Sequence, residues 1–170
     1  MVMQRLTRLF KHRLWDQNDA HRVMPEAAMQ RLTQRVAASE ARQSGEIRVC
    51  IEAGLPLSCL WQKQHARQRA ITLFGELGVW DTEANNGVLI YLLLAEHAIE
   101  IIADRGLNAH VSQARWEVII ASLRESLRAG QFEQGLETAI GAVDALLRLH
   151  FPLADGVANP NELPDAVVLL

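Results

Sequence analysis

Val88–Leu94, VLIYLLL, is apolar at every position, and no other run constrains the chain so tightly. Continuous rather than alternating apolarity is the pattern of a strand covered on both faces, and such a strand needs a helix layer on each side of its sheet. AEH, at 95–97, is short enough for a hairpin turn, and AIEIIAD, at 98–104, reads as the returning strand.

The rest of the chain supplies the layers. From Met24 to about Gln43, Ala28/Met29, Leu32, Val36 and Ser39 recur every three or four positions behind Pro25, which suits a first turn. Gly45 breaks that helix. EIRVCIE, at 46–52, alternates Ile47, Val49 and Ile51 with Glu46, Arg48, Cys50 and Glu52, which predicts a half-buried strand. Leu60 to about Leu77 reads as a second helix stopped by Gly78. Ser112 opens a third with Trp116, Ile119 and Leu123 inward, and Gly130 divides it from a fourth carrying Phe132, Leu136, Ile140, Val143 and Leu147. The order α-β-α-β-β-α-α implies a parallel β-α-β crossover with an antiparallel hairpin added, so the class is α/β, a small mixed sheet flanked by helices. Three stretches follow: a basic N-terminal segment (1–20), the domain (21–150), and a Pro- and Asn-rich tail (151–170) expected to lie extended over the surface.

With 170 residues, 49% hydrophobic and 22% charged, the chain reads as one globular domain. A net charge of −3 predicts no nucleic-acid partner, and 5% aromatic residues leave little for a base-stacking platform. The charge is uneven. Residues 1–15 carry Arg5, Arg8, Lys11 and Arg13 without an acid, while 151–170 carry Asp155, Glu162 and Asp165 without a base. Leu6, Leu9/Phe10 and Leu14 fall near helical spacing, so the basic start fits either a terminus docked on the domain or a short helix for a protein partner or membrane surface. No apolar region of a signal peptide follows it, and no run reaches the roughly 18 apolar residues of a transmembrane segment. The expected location is cytoplasmic. Cys50 and Cys59, the only cysteines, form no CxxC pair and are expected to be reduced. Ser58 as an N-cap would place Cys59 in a first turn; a structural cysteine is the other reading. His65 and His150 read as surface or satisfied-core residues, and Trp61, Trp80 and Trp116 as core or domain-edge residues. Oligomeric state has no signature here.

The motifs of common chemistries are absent: no GxGxxG, Walker A loop, HExxH or GxSxG. What stands out is WDTEANNG, at 80–87, leading into the apolar strand. Asp81, Glu83 and Asn85 alternate as in a calcium loop, but Gly87 comes one place late and Leu92 stands where a bidentate Glu is needed, so this is no EF-hand. In an antiparallel hairpin the start of the first strand lies beside the end of the second. Asn85-Asn86-Gly87 and Asp104-Arg105-Gly106 should therefore converge on one edge of the sheet. Carboxylates, amides and an arginine there could hold a divalent cation and steer a phosphate. They could equally cap and turn the chain.

SGEIRVCIE, then LGVWDTEANNGVLIYLLLAEHAIEIIADRGLN, then W-x-x-II and L-x-x-G-x-x-x-x-G-L-x-x-A-I, together resemble the TPM-domain family over roughly residues 24–150. The resemblance implies an α/β/α sandwich with a shallow cleft at the sheet edge, a weak acid-phosphatase activity and, in some members, calcium or other divalent ions. The family's Asp-Asn-Gly before the second strand becomes Asn85-Asn86-Gly87. Its Gly-Tyr-Gly-Leu-Glu after the hairpin falls on residues 103–108, matching at Gly106 and Leu107. Asn85 lacks the charge of an aspartate, and Arg105 brings a cation where the family shows an aromatic. Many relatives carry a signal peptide and a C-terminal membrane helix, so this chain resembles a short cytoplasmic branch.

Two functions are carried forward. One is a metal-assisted phosphomonoesterase, with Asp81, Asp104 and Arg105 catalytic and Asp81, Glu83, Asn85, Asn86 and Asp104 around calcium, magnesium or manganese. Gly87 and Gly106 would then form the cleft backbone. The other is a non-catalytic module binding a cation or a protein in the same cleft.

Overall fold

The structure is a computed structural model and describes residues 2–154 and 156–170. Met1, Asp155 and the side chains of residues 2–6, Arg5 and Leu6 among them, lie outside the described residues. The chain runs α1 (Val2–Leu14), α2 (Gln17–Val23), α3 (Glu26–Glu40), β1 (Glu46–Glu52), α4 (Leu57–Trp61), α5 (Ala66–Glu76), β2 (Gly87–Leu93), β3 (Ala98–Ala103), α6 (Arg105–Asn108), α7 (Gln113–Arg128), α8 (Phe132–His150) and β4 (Val168–Leu169).

The four strands form one sheet in the order β3-β2-β1-β4. β1 is parallel to β2 and β4, and β2 is antiparallel to β3, as the element order requires. Ile47, Val49, Ile51, Val88, Ile90 and Leu92 turn one face of the sheet onto the apolar stripes of α3, α7 and α8. Leu89, Tyr91 and Leu93 turn the other onto Ala70 and Leu73 of α5. The architecture is the α/β/α sandwich expected, and both apolar layers have their core because β2 is buried at all seven positions.

β1 departs from the prediction. Its alternation of polar and apolar residues suggests a half-buried strand, yet all seven residues are buried. The cover is α5 on one part of the polar face and the C-terminal tail on the rest. Glu52 is held by Arg69 of α5 at 3.0 Å and accepts from the Tyr91 hydroxyl at 2.5 Å. Arg48 donates to the carbonyls of Pro164 and Ala166. Glu46 accepts from the backbone N–H groups of Glu162 and Leu163 at 3.0 and 3.3 Å. The tail is thus extended, as expected, but it is joined to the sheet, with Cys50 and Ile51 paired to Val168 and Leu169.

Other boundaries differ for local reasons. The helix expected from Leu60 to Leu77 is broken in two, because Lys63 takes a left-handed φ of 56° that no α-helix can propagate. The N-cap of α4 is Pro56 rather than Ser58, which lies inside the helix; Cys59 does fall in the first turn, at the third helical position, but it is buried against the α5 layer. Pro25 is the N-cap of α3 rather than a first-turn residue. Residues 94–96 form a single 3-10 turn that His97, at φ 50°, closes. Trp116 is buried, whereas Trp61 and Trp80 are 83% and 56% exposed and belong to no core. His65 is the exposed N-cap of α5, and His150 stacks on His110 with ring centroids 4.9 Å apart.

α1 is docked on the domain. His12, 5% exposed, receives the Leu55 N–H on Nδ1 at 3.0 Å and faces Glu96 through Nε2 at 2.8 Å. Arg8 donates to the same carboxylate at 2.7 Å. Burial alone would raise Glu96, but the bonds from Arg8 and His12 and their charges together outweigh it and hold the carboxyl below its usual range. Among the described residues no helix is long and apolar enough to cross a membrane.

Candidate functional site: the sheet edge at 81–87 and 104–108

The convergence expected from hairpin geometry is present. Val88 pairs with Ala103, the Asp104 N–H donates to the Gly87 carbonyl at 2.9 Å, and the Gly106 N–H donates to the Asn85 carbonyl at 2.9 Å. Arg105 Nε donates to Asn85 Oδ1 at 3.0 Å. Asn85, Asp104, Arg105 and Gly106 therefore form one cluster.

Each has a local cause. Asn85 takes a φ of 52°, a left-handed conformation that asparagine tolerates better than most residues. Asp104 is the N-cap of α6 and accepts the Arg105 N–H on Oδ1 at 2.6 Å, which turns the chain out of β3. Asn108 holds the same turn by donating to the Ala103 carbonyl at 2.7 Å, and its own Oδ1 accepts from Trp116 Nε1 at 3.1 Å.

The two glycines of the cluster are required by packing. A Cβ on Gly87 would lie 2.0 Å from the Val79 carbonyl oxygen, and one on Gly106 would lie 2.5 Å from the carbonyl oxygens of both Ala84 and Asn85. Backbone approaches this close admit only glycine. They also bring two carbonyl oxygens up to the Asp104–Gly106 turn.

Asn86 is fully buried. Its N–H donates to Thr82 Oγ1 at 3.0 Å and its Nδ2 to Ser44 Oγ at 3.4 Å, while its Oδ1 has no protein partner. Asp104 Oδ2 is likewise buried without a partner. A buried oxygen left in this state costs about 1–3 kcal/mol unless water or an ion completes it.

Asp81 and Glu83 stand apart from this cluster. Asp81 is exposed in a turn whose N–H donates to the Gly78 carbonyl at 2.9 Å. Glu83 is exposed, and its N–H donates to Glu162 of the tail at 2.9 Å. The described contacts tie neither to Asp104. Among the described residues no three His, Cys, Asp or Glu side chains group closely enough for a metal ion, so any cation here would depend on the single Asp104 carboxylate with amide and carbonyl oxygens. Those are hard donors, suited to calcium or magnesium rather than zinc.

Sequence reasoning passed over Ser44, Thr82 and Asn108, which position Asn86 and the α6 turn. Thr82 carried a readable signal, a hydroxyl four residues before a buried backbone donor at a loop end. Ser44 and Asn108 carried none, since their roles depend on chain segments that meet only after folding.

A three-layer sandwich whose mixed sheet ends in a tight polar edge defines a fold class, and comparison places the chain within it. The family model of the TPM domain matches residues 17–146, and the chain belongs to the TPM-domain family. Two solved structures are similar. One is the NMR structure of the BA42 protein from the psychrophilic bacterium Bizionia argentinensis, 26% identical, covering 86% of this chain and 95% of that one with a TM-score of 0.74. The other is the N-terminal domain of a protein from P. gingivalis, 20% identical, covering 74% and 77% with a TM-score of 0.57, a likeness of fold. No curated protein matches.

Proposed function

We propose that this TPM domain is a binding module whose sheet edge takes a divalent cation, calcium in the first instance. The observation that carries the reading is Asp104 Oδ2, a buried carboxylate oxygen without a partner in the turn that the Ala84 and Asn85 carbonyls approach; Asn86 Oδ1, bonded through its amide on the Ser44 side, is a second unpartnered oxygen at this end of β2. One carboxylate among neutral oxygens suits weak binding, because charge count sets affinity in calcium sites. Asp81 and Glu83 are exposed on the preceding loop, where they would add outer-sphere attraction. Magnesium and manganese, which demand stricter octahedral geometry, are expected to bind less well than calcium here.

A second reading, metal-assisted hydrolysis of phosphomonoesters, is favoured by one contact. Asn85 holds the exposed Arg105 guanidinium beside Asp104, and a phosphate steered by that arginine would meet the cation. No side chain of the cluster is an evident nucleophile, so a water activated by the metal, with Asp104 or Asp81 as base, would have to attack.

Calorimetric titration with calcium, magnesium and manganese tests the first reading. Saturable calcium binding that is lost in Asp104→Asn supports it; equal binding by the variant defeats it. Hydrolysis of an aryl phosphate above the free-metal background, abolished by Asp104→Ala and Arg105→Ala, would establish the second.

A further inference from the structure

A separate cavity of about 540 Å³ opens at the other end of the β2–β3 hairpin. Its apolar wall is made by Trp15, Leu127 and Phe132, each only half buried and packed against the core of the α3/α7/α8 layer. The volume lies in the range of small-molecule pockets, about 300–1,000 Å³. Its ionisable lining is of one kind. Arg124, Arg128 and His97 line it and no acid does, although the chain as a whole carries a net charge of −3.

The nearby acids are already engaged. Glu125 pairs with Arg128 through Nη1 alone, across an exposed 3.0 Å contact that leaves the other guanidinium nitrogens to a ligand, and Glu96 is taken by Arg8 and His12 on the other side of the hairpin turn. Arg124 and Arg128 stand four residues apart, one turn of α7, and so share a side of the helix. His97 sits at the mouth in a left-handed conformation, φ 50°, with the edge of its ring against Trp15 at 6.3 Å. Trp15 precedes the residues matched by the family, so the N-terminal segment completes this wall.

We infer that this cavity binds a small amphipathic carboxylate, its aliphatic or aromatic body against Trp15, Leu127 and Phe132 and its head group between Arg124 and Arg128. Guanidinium groups take carboxylates in paired, charge-assisted hydrogen bonds, and half-buried aromatics gain from a body that covers them. The site is independent of the cation edge, at the opposite end of β2.

The test is a titration of the full chain with decanoate, read from the amide resonances of Trp15, Ile99, Leu127 and Phe132. The same titration is run with decanol, which keeps the body and removes the charge, and on the double variant Arg124→Ala/Arg128→Ala. Both substitutions are at exposed positions, and an unchanged Tm shows the variant to be folded. Saturable shifts at those amides with decanoate, about tenfold weaker with decanol and with the double variant, would bear the inference out. Equal affinity for decanol, undiminished binding by the variant, or no saturation at millimolar decanoate would overturn it.

Discussion

Two polar stretches of this chain look alike in sequence and end in opposite surroundings. DTEANN, at 81–86, and the polar face of β1, Glu46-Arg48-Glu52, both set charged residues beside apolar strands. The first lies largely in solvent, with only Thr82 and Asn86 buried. The second is buried throughout. The difference is made by cover that comes from elsewhere in the chain. Arg69 of α5 and the tail at 162–170 close over β1 and engage each of its charged side chains, leaving only Arg48 Nε buried without a described partner. At the sheet edge, among the described residues, the tail reaches only the Glu83 N–H, and Asn86 Oδ1 and Asp104 Oδ2 remain unpartnered. Polarity that is met from within is architecture, and polarity left open is available to a ligand.

The strongest way to break this comparison is to remove a partner from the closed region. Arg69→Met leaves Glu52, 2% exposed, without its cation, and the account expects a loss of about 3–5 kcal/mol in denaturant unfolding. The Tyr91 hydroxyl, raised in pKa by burial and then by Glu52, remains a donor and limits the damage. A loss below about 1 kcal/mol would mean that β1's polar face is hydrated after all.

A smaller effect comes from pH. Burial first, then the neighbouring carboxylates of Glu46 and Asp165, push Glu40 up to about 9, against the opposing hydrogen bond from the Ile47 N–H. The folded protein therefore keeps a proton that the unfolded chain releases near 4.5. Stability from this group is complete below that pH and drains away as pH rises towards 9. Glu46, raised by burial, acts in the same sense. Glu40→Gln should remove most of the slope and raise stability at pH 8 by about 2 kcal/mol, measured as the urea midpoint across pH. A variant that is less stable at pH 8 would contradict the protonated assignment.

The smallest effect is expected at the open edge. Asp104→Asn keeps the α6 cap in kind, so thermal unfolding should change by less than about 1 kcal/mol while cation binding is lost. Stability and binding would then separate at the edge, and they would not separate at β1.

Much of this was legible in the sequence, and what was not has a common cause. The bounds of β1 at 46–52 follow from alternation alone, and the meeting of Asn85-Asn86-Gly87 with Asp104-Arg105-Gly106 follows from hairpin geometry. The burial of β1's polar face does not, because it depends on Arg69 and on Pro164 and Ala166, more than a hundred residues away in the latter case. β4 is two residues long, too short to show a period, although Val167 and Leu169 pack against one apolar layer and Val168 and Leu170 against the other. The break at Lys63 was hidden for a similar reason, since lysine gives no sign of a left-handed turn. At the edge, residue types suggested five oxygen donors, but only folding separates Asp104 and the asparagines from the outlying Asp81 and Glu83.

The most direct test of the contrast is a calcium titration followed at every backbone amide. The account predicts saturable shifts confined to residues 84–87 and 104–107, with β1 and residues 162–169 unmoved. Shifts concentrated along β1 and the tail, or none anywhere at millimolar calcium, would contradict it.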